Sequence, residues 1–556
     1  MFAQLDLEQI QDVAQAKQAI IGLLNLVEDL QATVRELQGE VQRLRDENNR
    51  LRGEQGKPDI KPNRRGKLAG PGTDHSSEAE RRKPQTWQKG GKLAQITINR
   101  EAVLRVDPAQ LPADAEFKGY EDSIVQDVVL RTANVLFHKE KYYSPSERRT
   151  YLAPLPLGYD GQFGPGIKAL ALVQYFACNV AEPKILEFFA NVGIQLSAGE
   201  LSNWLIKDWP DLHAEKAAIY EAGLRSSPWQ HLDDTATRVN GQNEHCHVLC
   251  NPLYTAYFTT ARKDRLTIVD MLRNLGVRTF RVNAEAIDLL RIFGLAQCTV
   301  RRVQGLPQDQ DLQEAEFTAL LDARLPSLGP QQGARTPSGV EAAAVAAYHA
   351  QLEFPVIKLL LCDDAPQFNW VTEQLALCWI HEGRHYKKLD PSSAPFRTAL
   401  TEFTKQFWEY YAELLAYRQQ PNVDAKAHLT ANFDPLFATV TGYRALDERI
   451  EKTRFKKASL LLVLDHPEIP LHNNPAELGA RQRVRKRDVS FGPRTPDGAK
   501  AWDTFMTLTA TAKKLGVSIY HYIHDRVSGA FEMPDLADTI TQRAAELSLG
   551  ASWDPA

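Results

Sequence analysis

Cysteine is scarce in this 556-residue sequence: Cys178, Cys246, Cys250, Cys298, Cys362 and Cys378 are the full set, and no two form a CxxC pair. So few thiols in so long a chain exclude a disulfide framework, and reduced cysteines are expected. Long apolar runs are also missing. No stretch of about 18 uncharged apolar residues could span a bilayer, so no membrane partner is expected. The opening, MFAQLDLEQIQD, lacks a basic segment followed by an apolar one, so a cytoplasmic protein is expected. Nor is positive charge in excess. The formal net charge is −4, so any case for nucleic acid rests on where the charges lie.

What the sequence does contain is segmented. Leu23, Val27, Leu30, Val34, Leu37, Val41, Leu44, Asn48 and Leu51 alternate in steps of four and three, a heptad with Val at a and Leu at d. That pattern predicts a coiled coil over 1–55 and a parallel homodimer, with Asn48 fixing register; packing of the helix within its own chain is the alternative. Residues 56–92 are rich in Gly, Pro and basic residues and read as a flexible linker. Between Leu51 and Arg100 twelve Lys or Arg face five Asp or Glu, which makes Arg64, Arg65, Lys67, Arg81, Arg82 and Lys83 candidates for DNA phosphates. Short β-like runs such as IVQDVVLRTANVLF predict a small β-rich domain over 93–155. Residues 156–225 read as helical. A helix-turn-helix with Ser197 as cap fits there, although ordinary helical packing is the favoured account.

The patterning then changes. WQHLDDTATRV, an Asn240–Gly241 turn, HCHVLC, an Asn251–Pro252 turn and YTAYFTT predict three antiparallel strands, with Asp233 in the first. PVIKLLLCDD is a continuous apolar run ending in acid, as for a strand buried on both faces, and puts Asp363 at its carboxyl end. Glu477 follows Asn474 and Pro475 in LHNNPAELGARQRVRKR. A dull reading makes Asn474 a helix cap and Glu477 its capping-box partner. Taken together, the three acids suit a ribonuclease-H-like arrangement. Converging carboxylates repel one another, so the cluster makes sense if Mg2+ or Mn2+, two ions in number, occupies it. The expected catalytic and metal-binding residues are thus Asp233, Asp363 and Glu477. Arg481, Arg485, Lys486 and Arg487 would lie where phosphates arrive.

At these residues the chain resembles the insertion sequence sixty-six transposases of bacteria, a branch of the DDE transposases. The likeness covers the zipper, LSAGELSNWL, DDTATRVNG, LLLCDDAPQF, CWIHEGRHYKKL, NNPAELGARQRV and AWDTFMTLTATAKKLGVSIYHYIHD. It implies cleavage and joining of element ends in double-stranded DNA, a nucleoid-associated bacterial protein and element-encoded accessory proteins. It also implies a structural role for Cys378 and His381, with His381 buried. Two departures stand out. Residues 53–177 hold no cysteine where the family carries a zinc-binding module, so no structural zinc is expected, and the Asp233-to-Asp363 spacing is long.

The expected fold class is multidomain α/β. An N-terminal coiled coil, a small β-rich domain and a helical domain precede a mixed sheet. Its catalytic pieces (226–270, 350–392 and 470–530) are separated by helical insertions (271–349 and 393–469), and a tail follows (531–556). Two rivals are a dimeric DNA-binding protein with an inactive nuclease domain and a zinc metalloprotease reading of His381-Glu382-Gly383-Arg384-His385, which Gly383 weakens by disfavouring the helix.

Overall fold

A tight turn sets the register of the central sheet. Asn240 and Gly241 both take positive φ (49° and 77°), the left-handed backbone that a two-residue hairpin requires. They join β1 (Trp229–Val239) to β2 (Gln242–Cys250), and β3 (Thr255–Thr260) continues the antiparallel meander. The computed structural model describes residues 10, 12–52, 96–112, 114–159, 161–207, 209–324 and 337–553. Its sheet runs β3-β2-β1-β4-β5, where β4 (Leu359–Cys362) and β5 (Gln374–Leu377) lie parallel to β1.

Strand β4 has four consecutive buried residues because both faces of the sheet are covered. Leu360 and Cys362 join one core, which gathers the helices between 165 and 225, the 265–350 segment and the C-terminal helices. Leu359 and Leu361 join a second core. The N-terminal helix is α1 (Val13–Leu51). The second core is closed by α2 (Trp379–Lys387), α3 (Ala394–Gln419) and α4 (Arg444–Phe455). The chain then returns to the sheet through α5 (Asn474–Ser490) and α6 (Pro496–Leu515). This is a mixed α/β, many-helix protein with a five-stranded sheet and an N-terminal helix.

Several expectations need correction. The 93–155 stretch yields one hairpin, Lys141–Ser144 with Arg149–Leu152, and IVQDVVLRTANVLF forms no strand. Its Val125, Val128, Val129 and Leu136 are exposed, so alternation alone, with no sheet to bury one face, does not make a strand. The 531–556 tail holds a helix, Leu536–Leu547, whose Leu536 and Ile540 enter the first core. Gly383 does not interrupt α2. A Cβ there would lie 2.6 Å from the Trp408 ring, so glycine permits close packing of α2 on α3. Ser197 does cap its helix, accepting from the Glu200 amide.

Helix α1 packs on its own chain and yet leaves its heptad seam open. Leu24 touches the second core, and the Asn25 side chain donates to Gly442 O at 2.8 Å and accepts from Arg444 N at 2.9 Å. Buried Glu28 accepts from the amides of Ser392 and Ser393 and from the Ser392 hydroxyl. Burial raises the Glu28 carboxyl, but these bonds outweigh it and its pKa falls below the usual range. Ser393 makes no cap bond of its own, so Glu28 supplies the N-terminal cap of α3 from another helix. Leu23, Val27, Leu30, Val34, Leu37, Val41 and Leu44 remain exposed on the other side.

Glu28→Ala should therefore loosen both partners, at a cost of about 1 kcal/mol, as for a lost cap. Amide exchange would report it as faster exchange at Ser392, Ser393 and along α1; unchanged protection would sink this account.

Candidate functional site

The β1–β4 pairing brings two distant acids together. Trp229, Gln230 and His231 face Leu359, Leu360 and Leu361 in parallel register. Both acids lie two residues beyond the last of these pairs, so the same register continued brings Asp233 and Asp363 to the same end of the two strands. Glu477 arrives on α5, whose start is fastened to the same strand. The Asn473 side chain donates to Leu232 O at 2.7 Å, and its oxygen lies 3.0 Å from His231 Nδ1. Because the Asn473 nitrogen is already donating, His231 Nδ1 must carry the proton of the second bond. Burial pushes the His231 pKa down to about 3, which keeps that imidazole neutral. Two residues after Glu477, Gly479 lies so close to β2 that a Cβ would stand 2.6 Å from Val248, the cross-strand neighbour of Asp233.

The capping reading of Glu477 is corrected by this geometry. Asn473, not Asn474, precedes the helix, and its side chain is spent on β1 rather than on the helix amides. Glu477 makes no capping box; both of its oxygens accept from Arg384, at 2.9 and 2.8 Å. Arg384 was not singled out from the sequence, where it is hidden inside the HEGRH string of α2. Cys378 is buried, and its sulfur accepts from the amides of His381 (3.3 Å) and Asn473 (3.2 Å), joining the starts of α2 and α5. His381 is not buried as expected. Its side chain is 27% exposed and its Nε2 lies 3.7 Å from Asp364 Oδ1.

Asp233 and Asp363 each have an acidic neighbour in the chain, Asp234 and Asp364, and the two kinds are treated differently. Asp234 meets Lys263 (3.3 Å) and Gln367 (3.1 Å), and Asp364 is paired with Lys456. Among the described residues, the hydrogen bonds to Asp233 and Asp363 come from main-chain amides, those of Asp234 (2.9 Å) and Ala365 (3.2 Å). Burial, then the charges of Asp363 and Glu477, push the Asp233 pKa up to about 7. Burial also raises Asp363, against the Ala365 amide. Asp233 thus feels both of the other acids, and a set of oxygen-only donors suits hard divalent cations such as Mg2+ or Mn2+.

The basic residues after Glu477 divide by helical position. Arg481 and Arg485, four and eight residues on, are exposed on the stripe that begins at Glu477. Lys486 is a correction: it is fully buried, donates to Tyr175 O and lies over the Tyr175 ring, so it has no access to phosphate. Arg487 is half-buried and donates to Ala236 O at 2.5 Å, which ties it to β1. Arg64, Arg65, Lys67, Arg81, Arg82 and Lys83 lie outside the described residues. For the protease reading, Glu382 is buried among Arg449, Thr453 and Lys456 and held below the usual carboxylate range, despite burial, by those partners. It is not free to serve as a general base.

A mixed α/β protein with carboxylates gathered at the end of two parallel strands is the class defined so far. Comparison with known families agrees: residues 160–279 and 352–501 match the model of the Transposase IS66 family, and the break between them falls on the expected insertion. An uncharacterized protein, y4jO, of Sinorhizobium fredii (strain NBRC 101917 / NGR234) is 31% identical over 310 residues, 56% of this chain and 94% of that protein. The chain belongs to the IS66 transposase family. No described helix is long and apolar enough to cross a membrane.

The raised Asp233 pKa carries a stability consequence. A folded-state pKa above the unfolded value gives stability that is complete below the unfolded pKa and lost as pH rises through about 7. In the presence of chelator, Asp233→Asn should therefore be more stable than the parent above about pH 7, with the advantage shrinking towards pH 5. Denaturant midpoints across that range measure it; a pH-independent difference would contradict the coupling.

Proposed function

We propose that this chain is a DDE transposase that cleaves and joins the ends of its element in double-stranded DNA, with Asp233, Asp363 and Glu477 as its catalytic and metal-binding residues. The observation that carries the proposal is the convergence of these acids, and above all the response of Asp233 to both of the others. The strand order, an antiparallel meander whose first strand pairs with two parallel ones, supports a ribonuclease-H-like catalytic fold.

Asp233 and Asp363, free of side-chain cations, and Glu477 above them would hold Mg2+ or Mn2+, two ions in number. Such ions, if bound there, would supply activation of an attacking oxygen and stabilisation of the leaving one at phosphorus, with water as nucleophile for a nick and a DNA 3'-hydroxyl for joining. The protein's part is positional. Asn473 and Cys378 hold Glu477 over the strand ends, and Arg384 grips both Glu477 oxygens and so limits its rotamers. Arg481 and Arg485 line the approach and take the phosphates beside the cut. For assembly, the seam of α1 stays exposed while the helix docks through other residues, which supports a homodimer paired through that seam.

Glu477→Gln keeps the size and hydrogen-bonding capacity of the side chain but removes its charge. It should fold, bind element ends and lose cleavage and strand transfer by at least about 100-fold, the scale set by loss of an essential charge-stabilising group. Strand transfer near the parental rate would return Glu477 to a purely structural role. Leu30→Glu with Leu37→Glu leaves Glu28 and Asn25 in place and should yield monomers in sedimentation; an unchanged oligomer would remove the zipper from the proposal.

A further inference from the structure

Beside the acid cluster lies a second group of ligand atoms with different chemistry. His381 and His385 stand one turn apart on α2, so their rings project from one face, with centroids 5.0 Å apart. One nitrogen from each and an Asp364 oxygen lie within 4.8 Å of one another. Two details show that the group is incomplete as it stands. His385 Nε2 is buried without a hydrogen-bond partner, which costs free energy unless something is bound to it. Asp364 Oδ1 faces His381 Nε2 at 3.7 Å, too far for a hydrogen bond.

We propose that Asp364, His381 and His385 form a binding site for one zinc-class transition-metal ion, separate from the Asp233–Asp363–Glu477 cluster. Two imidazoles and one carboxylate are a borderline donor set that suits zinc, whereas the all-oxygen cluster beside it suits magnesium. Ligand atoms on a tetrahedral zinc are roughly 3.4 Å apart, so modest side-chain rotation closes the group. Three protein ligands leave one position for water. The carboxylate is already oriented from behind: Lys456 donates to Asp364 Oδ2 and, at 3.0 Å, to Glu382, which also takes Arg449 and Thr453. A hydrogen-bonded carboxylate of this kind is the usual support for a metal ligand. The same network holds Glu382 away from any role as base, so the ion would act by position and not by peptide hydrolysis.

Its place suggests what it fixes. Asp364 follows Asp363, and Arg384, which grips Glu477, lies between the two histidines on α2. An ion bridging Asp364 to α2 would lock the end of β4 against that helix and with it the spacing of two of the three acids. This consequence rests on the transposase reading; the binding of the ion does not.

The test uses the full-length protein, stripped with chelator, incubated with zinc sulfate, desalted and assayed for bound zinc. One zinc per chain is expected, falling at least tenfold in occupancy in His385→Ala and in Asp364→Asn, and retained in the double variant Asp233→Asn with Glu477→Gln. Zinc-dependent protection of His381 and His385 from diethyl pyrocarbonate, read by mass spectrometry on the unaltered chain, covers the case in which a variant fails to fold. No retained zinc, zinc lost only when the Asp233 and Glu477 variants are made, or absence of protection would each overturn the proposal. Strand transfer near the parental rate in that double variant, with zinc retained, would count against the transposase reading alone.

Discussion

The spacing of the acid cluster depends on a small buried junction between β1, α2 and α5. Asn473 spends its side chain on His231 and on Leu232 O, while its amide and that of His381 share the Cys378 thiol. Each of these groups is inside the protein, where an unmade hydrogen bond is costly, so the junction has one satisfied arrangement and few cheap alternatives. Three segments far apart in the sequence are thereby held in fixed register. Glu477, one turn beyond Asn473, inherits that position.

The electrostatics follow from the same geometry. Acids that lie beside a lysine or arginine are at ease, as Asp364 and Glu382 are with Lys456. Asp233 makes no ion pair among the described residues, and burial, then the charges of Asp363 and Glu477, push its pKa up. Glu477 differs, because both of its oxygens accept from Arg384.

Helix α2 serves several ends within nine residues. Cys378 starts it, Gly383 lets it touch α3, Glu382 anchors it in the second core through Arg449, Arg384 meets Glu477, and the two histidines face Asp364. The periodicity of a helix makes this division possible, since neighbours in sequence point in different directions. The helix also explains why a zinc-protease motif can be present in sequence while its glutamate is committed elsewhere.

Local chemistry was enough for much of this. The Asn240–Gly241 hairpin, the twice-covered β4, the Ser197 cap and the long α1 follow from turn preference, hydrophobic period and residue type, all of which act over a few neighbouring positions. Non-local facts were not legible. Burial of Lys486, Arg384 as the partner of Glu477, Asn473 as an anchor to β1 and Glu28 as the cap of α3 each join residues far apart in sequence. The β-like stretch before position 140 misled for the same reason, because a strand needs a partner that its own residues do not encode. Sequence by itself determined which elements form and which side chains could do chemistry; only packing of those elements decided which charged groups face solvent, which are neutralised, and which are left to face one another.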